Sequence, residues 1–392
     1  MFAFDRLWIN VVLAMVIAAC TEDDPEPSAE VLADASVPSP QADGSTGTPE
    51  IDATVAPSEA DSAFTMPEFE DVPLVAADVS FLIPLRAVES FSASTEGGHG
   101  TLLPRSYFDQ LEALTRVDEP DTLYAHLDVV GVRLDPCFVE AHQTDNCESQ
   151  VRLVLQPVID TAESFVARDA TIHAFYQVPL GELHALAQSI ARLRLDSDGA
   201  VLIGQHAQAS AVATLLVPVL GAERLSRLTF VSVHASDEAW SFGGVDVRDG
   251  MLTHHALFGV DDHEQHLTSL GGTETLDASI LPEPVIETEA ARFLERFVRD
   301  DMTAEEKASA KAGLQRMLDP SVHDTGTVDC ASCHMATPAA YFVEGQLGLS
   351  IPDVYANTQN QRMFGYFGIE ESISPRVHAE TDVVLDAFER LR

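Results

Sequence analysis

Basic residues are scarce in this sequence of 392 residues. Lysine and arginine together number 22 against 63 aspartates and glutamates, which gives a formal net charge of −41, and only Lys307 and Lys311 are lysines. A surface of this sign repels phosphates, so no nucleic-acid partner is expected. A partner protein with a basic surface, or a cation, fits the charge better. The alternative is that the charge keeps the protein soluble and has no specific partner.

The best-known catalytic and nucleotide-binding motifs are also missing. Residues 72–285 contain no G-x-S-x-G, no P-loop and no G-x-G-x-x-G after a strand. Histidines are frequent there, and the candidates for a metal site are His234, His254, His255, His263 and His266, beside Asp261 and Asp262. His263 and His266 could share a helical face. We expect these side chains to be solvated or hydrogen-bonded in loops rather than to bind a metal ion.

Cysteine is rare as well, and the five cysteines fall into three groups. Cys137 and Cys147 stand ten residues apart, and in an oxidising compartment such a pair would close a disulfide around a short loop. A redox-active role for this pair is less expected, because the spacing is not C-x-x-C. Cys20 lies near the N-terminus, and Cys330 and Cys333 lie near the C-terminus.

The N-terminal segment predicts export. Arg6 precedes an apolar run over residues 7–19, and Cys20 follows Ala18 and Ala19. This segment resembles a bacterial lipoprotein signal, which implies a lipidated Cys20 as the mature N-terminus and a periplasmic or outer-membrane protein held by its lipid anchor. An uncleaved signal anchor is the alternative. Residues 21–71 are acidic, rich in Pro, Ser, Ala and Thr, and without Lys or Arg, so we expect a disordered tether.

The middle of the chain shows mixed periodicities. Runs typical of strands cover residues 79–85, 127–134, 151–158, 171–178, 200–203 and 228–233. Helical periodicity covers residues 180–195 and 207–220, with Pro218 shortening or bending the second segment. We therefore expect residues 72–285 to form one mixed α/β or α+β domain of unknown function.

A C-x-x-C-H motif dominates the C-terminal region: Cys330, Cys333 and His334. Two thiols one helical turn apart can form thioethers with the two vinyl groups of a haem, and the next imidazole can bind the iron as proximal ligand. The competing interpretations are a thiol pair, half of a zinc site or a plain disulfide. We predict one covalently attached haem c.

With this motif, residues 286–392 resemble a monohaem class I cytochrome c domain, which implies a small all-α domain. Helical patterns over residues 287–299, 303–318 and 380–391 agree with it, and Thr303 and Glu306 have the spacing of a capping box. The family usually supplies a methionine as the sixth iron ligand. The candidates for this ligand here are Met363 and His378, and an open site or another ligand is the third possibility.

The function expected from this resemblance is electron transfer by an exported haem protein with a basic redox partner protein. The alternatives are a haem-dependent enzyme of peroxidase or oxidase type, and a ligand-binding lipoprotein in which haem is a sensor or a structural element. An occupied sixth iron position favours electron transfer, whereas an open position favours an enzyme.

Overall fold

The computed structural model describes residues 71–391, except for 89–90, 112–113, 115–119, 140–146, 162–163, 197–204, 235–238, 258–262, 269–302, 323–327, 332, 335–336, 338–347 and 349–362. One compact unit spans residues 68–392. The predicted signal with Cys20, the predicted tether and the domain boundary expected at residue 285 lie outside the described residues.

Antiparallel strands dominate the described chain. The strands are β1 Ser80–Leu82, β2 Glu96–Gly97, β3 Gly100–Thr101, β4 Leu127–Val139, β5 Cys147–Asp160, β6 Phe165–Ala167, β7 Ala170–Gln177, β8 Leu225–His234, β9 Ala239–Arg248, β10 Met251–His254, β11 Glu264–Thr268, β12 Phe364–Phe367 and β13 Glu370–Ile373. Within the described residues, nine of them form one sheet in the order β1-β4-β5-β7-β8-β9-β10, with β6 beside β5 and β11 beside β9. The hairpins β2–β3 and β12–β13 each form a separate two-stranded sheet.

The helices are short or peripheral. They are α1 Ala76–Val79, α2 Arg105–Phe108, α3 Pro120–Ala125, α4 Leu180–Leu195, α5 Ala209–Leu216, α6 Ala304–Leu318 and α7 Pro375–Arg390, with 3₁₀ turns at Val217–Val219 and Ala222–Arg224. Helix α4 has the bounds that its periodicity predicts. Helix α6 begins after the predicted N-cap Thr303, whose hydroxyl accepts from the Glu306 N–H while the Glu306 carboxylate accepts from the Thr303 N–H.

The main core lies between one face of the sheet and helices α4 and α5. Alternate strand residues such as Leu153, Ile172 and Leu228 are fully buried there, because the side chains of a strand alternate between its two faces. Leu183 and Ile190 of α4 pack into the same cluster and are also fully buried. Each such side chain contributes about 1.5–3 kcal/mol to folding.

The opposite face of the sheet is covered by C-terminal residues. Phe364 and Tyr366 of β12, Ile373 of β13 and Val377 of α7 pack against Val154 of β5. Tyr366 is anchored further, because its N–H donates to the Gln156 side chain at 2.7 Å and its hydroxyl donates to the Ile83 carbonyl at 3.2 Å. The second face therefore has its own apolar cluster.

The expected fold class is wrong. Residues 72–285 were predicted to be a mixed α/β or α+β domain, whereas a large antiparallel sheet with few helices dominates them. The described part of residues 286–392 is not a small all-α cytochrome c-like domain, since it contains the hairpin β12–β13. Val384 and Phe388 of α7 belong to the main core. The helix has the predicted apolar face, but this face packs within the sheet-containing unit and not within a separate all-α domain.

Candidate functional site

The second face of the sheet carries a row of paired residues at its centre. His173 of β7 lies directly opposite Thr229 of β8 and Val154 of β5. Residues paired directly across antiparallel strands point to the same face. The neighbouring row on this face is made of Arg152, Phe175 and Arg227. An imidazole therefore stands in the middle of the sheet, with two arginines in the row beside it.

The C-x-x-C-H segment folds as a helical turn against this face. The Cys333 N–H donates to the Asp329 carbonyl at 3.1 Å, which places Asp329 at the N-cap of the turn. Ala331 is fully buried and packs with Val231, Trp240 and Phe242 of β8 and β9. A small residue between the two cysteines thus lets the turn lie close to the sheet.

A buried glutamine of β11 connects this turn to the sheet. The Gln265 side-chain amide donates to the Asp329 carboxylate at 2.8 Å, and its oxygen accepts from the Ala331 N–H at 3.0 Å. The second bond satisfies one of the backbone donors that a helix start leaves unpaired. Gln265 and Asp329 are both buried, so these bonds fix the turn firmly in place.

Cys330, Cys333 and His334 all line one cavity of about 140 Å³ above the sheet. Its other walls include Phe138, His173, Phe175, Met363, Phe364 and Val377. The His334 ring also contacts the Phe242 ring, with 5.1 Å between the ring centroids. The donor set fits a covalent haem, because two thiols one turn apart and an adjoining imidazole face a cavity with aromatic walls. A porphyrin is larger than 140 Å³, so a haem could be held here only if the residues around the cavity moved apart.

The thiols of this motif differ from those of a redox-active C-x-x-C pair. Both cysteines are free in the structure, without a disulfide between them. Burial, and after it the negative charge of Asp329, raises the pKa of the Cys330 thiol to about 12. Burial also raises the pKa of Cys333. Thiol–disulfide exchange requires a lowered thiol pKa, so this environment disfavours a thioredoxin-like role.

An ion-pair network closes one side of the cavity. Glu380 of α7 accepts from Arg133 of β4 and from Arg376 at 2.9 Å, and Arg152 lies 3.9 Å from the same carboxylate. Burial alone would raise the pKa of Glu380, but the three guanidinium groups lower it to about 2. Glu380 is therefore ionised near neutral pH and ties α7 to the sheet.

A second network lies on the other side. The Asp246 carboxylate pairs with Arg227 at 2.7 Å and with His255 at 3.1 Å. Burial again acts to raise the pKa of Asp246, but the bonds to His255 and Arg227 lower it to about 2. Arg227 and His255 both line the cavity, so their positions are set by this carboxylate.

The structure brings together some of the predicted site residues and separates others. Met363 lines the cavity with Cys330, Cys333 and His334, whereas His378 lies on α7 and is not among the residues that line it. Cys137 and Cys147 form the expected disulfide, with 4.6 Å between their Cα atoms.

The other histidines do not form a metal site in the described part of the chain. The His254 and His263 rings contact each other, with 4.1 Å between the centroids. Asp261, Asp262 and the side chains of His234 and His266 lie outside the described residues. Among the described residues, no three His, Cys, Asp or Glu side chains form a group that could hold a metal ion.

The sequence pattern alone does not identify the residues that the sheet contributes to the cavity. His173 and Arg152 stand out in their strands only as polar residues between apolar ones, and the pattern around Gln265 does not show with which strand it pairs. The signal that identifies them is the strand register, which depends on pairing between distant segments.

Comparison of the chain with known protein families, characterised proteins and solved structures gives no match. Within the described residues, no helix has the length and apolar character needed to cross a membrane.

Proposed function

We propose that this chain is an exported c-type haem protein that carries one haem on Cys330 and Cys333 and transfers electrons. His334 is the proximal iron ligand in this proposal. The observation that carries it is the cavity into which both thiols and the His334 imidazole face together. A bound haem would supply a one-electron redox centre.

The residues around the cavity have defined roles in this function. Gln265 and Ala331 hold the cysteine-bearing turn against the sheet. Phe138 and Phe175 supply aromatic walls that limit access of water. The potential of a haem depends on its axial ligands and on the polarity of its pocket, so these walls and the two flanking ion-pair networks would tune it.

A haem-dependent enzyme is the second candidate, and one observation favours it. A polar cavity of about 670 Å³ adjoins the motif cavity and shares Phe175 and Arg227 with it. Tyr107, Glu148 and Arg224 contribute polar groups to this second cavity. A substrate bound there would lie beside the proposed haem. Rapid binding of carbon monoxide to the reduced protein would favour the enzyme, because it requires an open iron position.

The proposed export and lipid anchor have their own test. A Cys20→Ser variant should lose incorporation of a labelled fatty acid and move from the membrane fraction to the soluble fraction. A Cys137→Ser variant with Cys20 intact should keep both the label and the membrane location. A fatty-acid label that persists in Cys20→Ser would refute the anchor.

Covalent attachment is tested by expressing the chain with cytochrome c maturation machinery and staining a denaturing gel for haem. We expect a stained band for the natural sequence and none for Cys330→Ala/Cys333→Ala. Cys137→Ser/Cys147→Ser is the matched control, since it also removes two cysteines but should keep the stain. An unstained natural protein, under conditions that mature a known cytochrome, would refute the proposal.

A further inference from the structure

The sheet contributes an imidazole to the cavity that the sequence motif does not include. His173 lies on β7, a strand with partners on both sides, so its backbone position is fixed by β5 and β8. It lines the same cavity as Cys330, Cys333 and His334. Ligands carried on central strands are held more precisely than ligands carried on loops.

The surroundings of His173 leave its ring available as a ligand. Its ring contacts the Phe175 ring, with 6.5 Å between the centroids, and no hydrogen bond to the His173 ring is found within the described residues. Burial, followed by the charges of Arg152 and His334, lowers its pKa well below the usual value. His173 is half-buried and borders the cavity, so a ligand in the cavity could reach its ring.

Two other side chains of the cavity compete for the same role. Met363 is partly buried and packs against the apolar cluster that contains Val154 and Phe364, which is the usual setting of a core methionine. His255 is engaged by Asp246 at 3.1 Å, and that carboxylate also holds Arg227. His173 has no comparable structural partner within the described residues.

We propose that His173 would supply the sixth ligand of the haem iron, with His334 as the proximal ligand. This inference rests on the proposed function, because it requires haem at Cys330 and Cys333. It assigns the position to a residue of the sheet, more than 150 residues before the motif in the sequence. The haem would then link the sheet to the C-terminal turn through its two axial ligands.

The test compares full-length His173→Ala, His255→Ala and Met363→Leu, each matured with haem. Denaturing gels stained for haem report attachment, and electron paramagnetic resonance with absorption spectra reports the ferric spin state. We expect low-spin, six-coordinate iron in the natural protein, in His255→Ala and in Met363→Leu. His173→Ala should keep the stain but lose the low-spin signal, and added imidazole should restore it.

A second variant covers the case in which His173→Ala does not fold. His173→Met should keep six-coordinate iron, with a sulfur ligand and a raised midpoint potential, since methionine ligation raises the potential of cytochromes. Low-spin iron that persists in His173→Ala, or is lost in His255→Ala or Met363→Leu, would overturn the assignment, as would high-spin iron in the natural protein. Those outcomes leave covalent attachment intact, whereas an unstained natural protein would refute the proposed function and this assignment together.

Discussion

At the scale of single residues, Gln265 is the most specific support of the cysteine-bearing turn. Replacing it with alanine removes a donor from the buried Asp329 carboxylate and leaves the Ala331 N–H without this acceptor. We expect Gln265→Ala to lower the free energy of unfolding by about 1–3 kcal/mol, measured by urea denaturation. Gln177→Ala is the control, since the exposed Gln177 side chain donates to Glu148 at 2.8 Å, and a change within about 0.5 kcal/mol is expected. Equal effects of the two variants would contradict the supporting role of Gln265.

Glu380 makes the stability of the folded protein depend on pH, and substitution of this one residue should remove that dependence. Its pKa is about 2 in the folded chain against about 4.3 in an unfolded one. The unfolded state therefore takes up the proton first as the pH falls, and the stabilisation by Glu380, complete above about pH 5, is lost toward pH 2. Burial raises the pKa of Asp128 to about 6 despite Arg86, so Asp128 changes the stability with pH in the opposite direction. Asp128 is present in the natural protein and in the variants, so its effect cancels when they are compared.

We expect Glu380→Gln to lower the free energy of unfolding by about 3 kcal/mol at pH 7, because it leaves Arg133 and Arg376 without their counter-charge. The difference from the natural protein should shrink as the pH falls toward 2. Glu182→Gln is the matched control, because its pair with Arg224 at 2.8 Å is more exposed and should cost less than about 1 kcal/mol. Urea denaturation midpoints at pH 7, 5 and 3 measure the stabilities of both variants. A Glu380→Gln effect that stays constant with pH would disprove this linkage.

At the scale of elements, the hairpin β2–β3 is held by close backbone approach. The Gly98 N–H donates to the Val217 carbonyl at 2.9 Å, and a Cβ on Gly98 would lie 1.9 Å from the Pro218 carbonyl oxygen. Because a backbone atom cannot rotate away, we expect Gly98→Ala to lower the free energy of unfolding by about 2–4 kcal/mol. Gly181→Ala in α4, where nothing lies within 4 Å of the added Cβ, should be neutral or stabilising by up to about 1 kcal/mol. Thermal denaturation of both variants checks this, and a harmless Gly98→Ala would mean that the hairpin packs more loosely.

Local periodicity was enough to predict several elements but not their assembly. The spacing of Leu183, Leu186 and Ile190 predicts α4, and the Thr303 capping box predicts the start of α6, because both signals depend on residues close in sequence. The fold class depends on which strands pair and on what covers the second face of the sheet. The apolar stripe of α7 contains no information on which elements will cover it. The resemblance to a cytochrome domain predicts a separate all-α domain, whereas Phe388 packs in the main core and contacts His184 of α4.

The candidate site likewise combines residues that a local motif predicts with a residue that only the assembly of the strands places there. The C-x-x-C-H spacing of Cys330, Cys333 and His334 is a local pattern and could be read directly. His173 reaches the same cavity through the register of β7 with β5 and β8, and a shift of one residue would turn it to the other face. No motif around His173 indicates that register, so the sequence candidates for a sixth ligand, Met363 and His378, did not include it.

At the scale of the whole molecule, the net charge of −41 should govern association with the proposed redox partner. The attraction to a basic redox protein acts over a Debye length of about 30 Å at 0.01 M salt and about 8 Å at 0.15 M. We expect the second-order rate of electron transfer to such a protein to fall at least tenfold over this range, measured by stopped-flow absorption. An acidic redox protein of similar potential is the control and should show the opposite trend. A rate that does not change with salt would exclude electrostatic steering.

The docking of Ala331 against β8 and β9 has a consequence for the order of events during biogenesis. Every strand of the nine-stranded sheet precedes residue 330 in the chain, so in a chain exported from its N-terminus the sheet can assemble before the cysteines emerge. Once the turn has docked, its thiols face a cavity smaller than a porphyrin. If haem is attached as proposed, a maturation enzyme would have to act after the cysteines emerge and before the turn docks. Slower docking would then raise the fraction of chains that receives the cofactor.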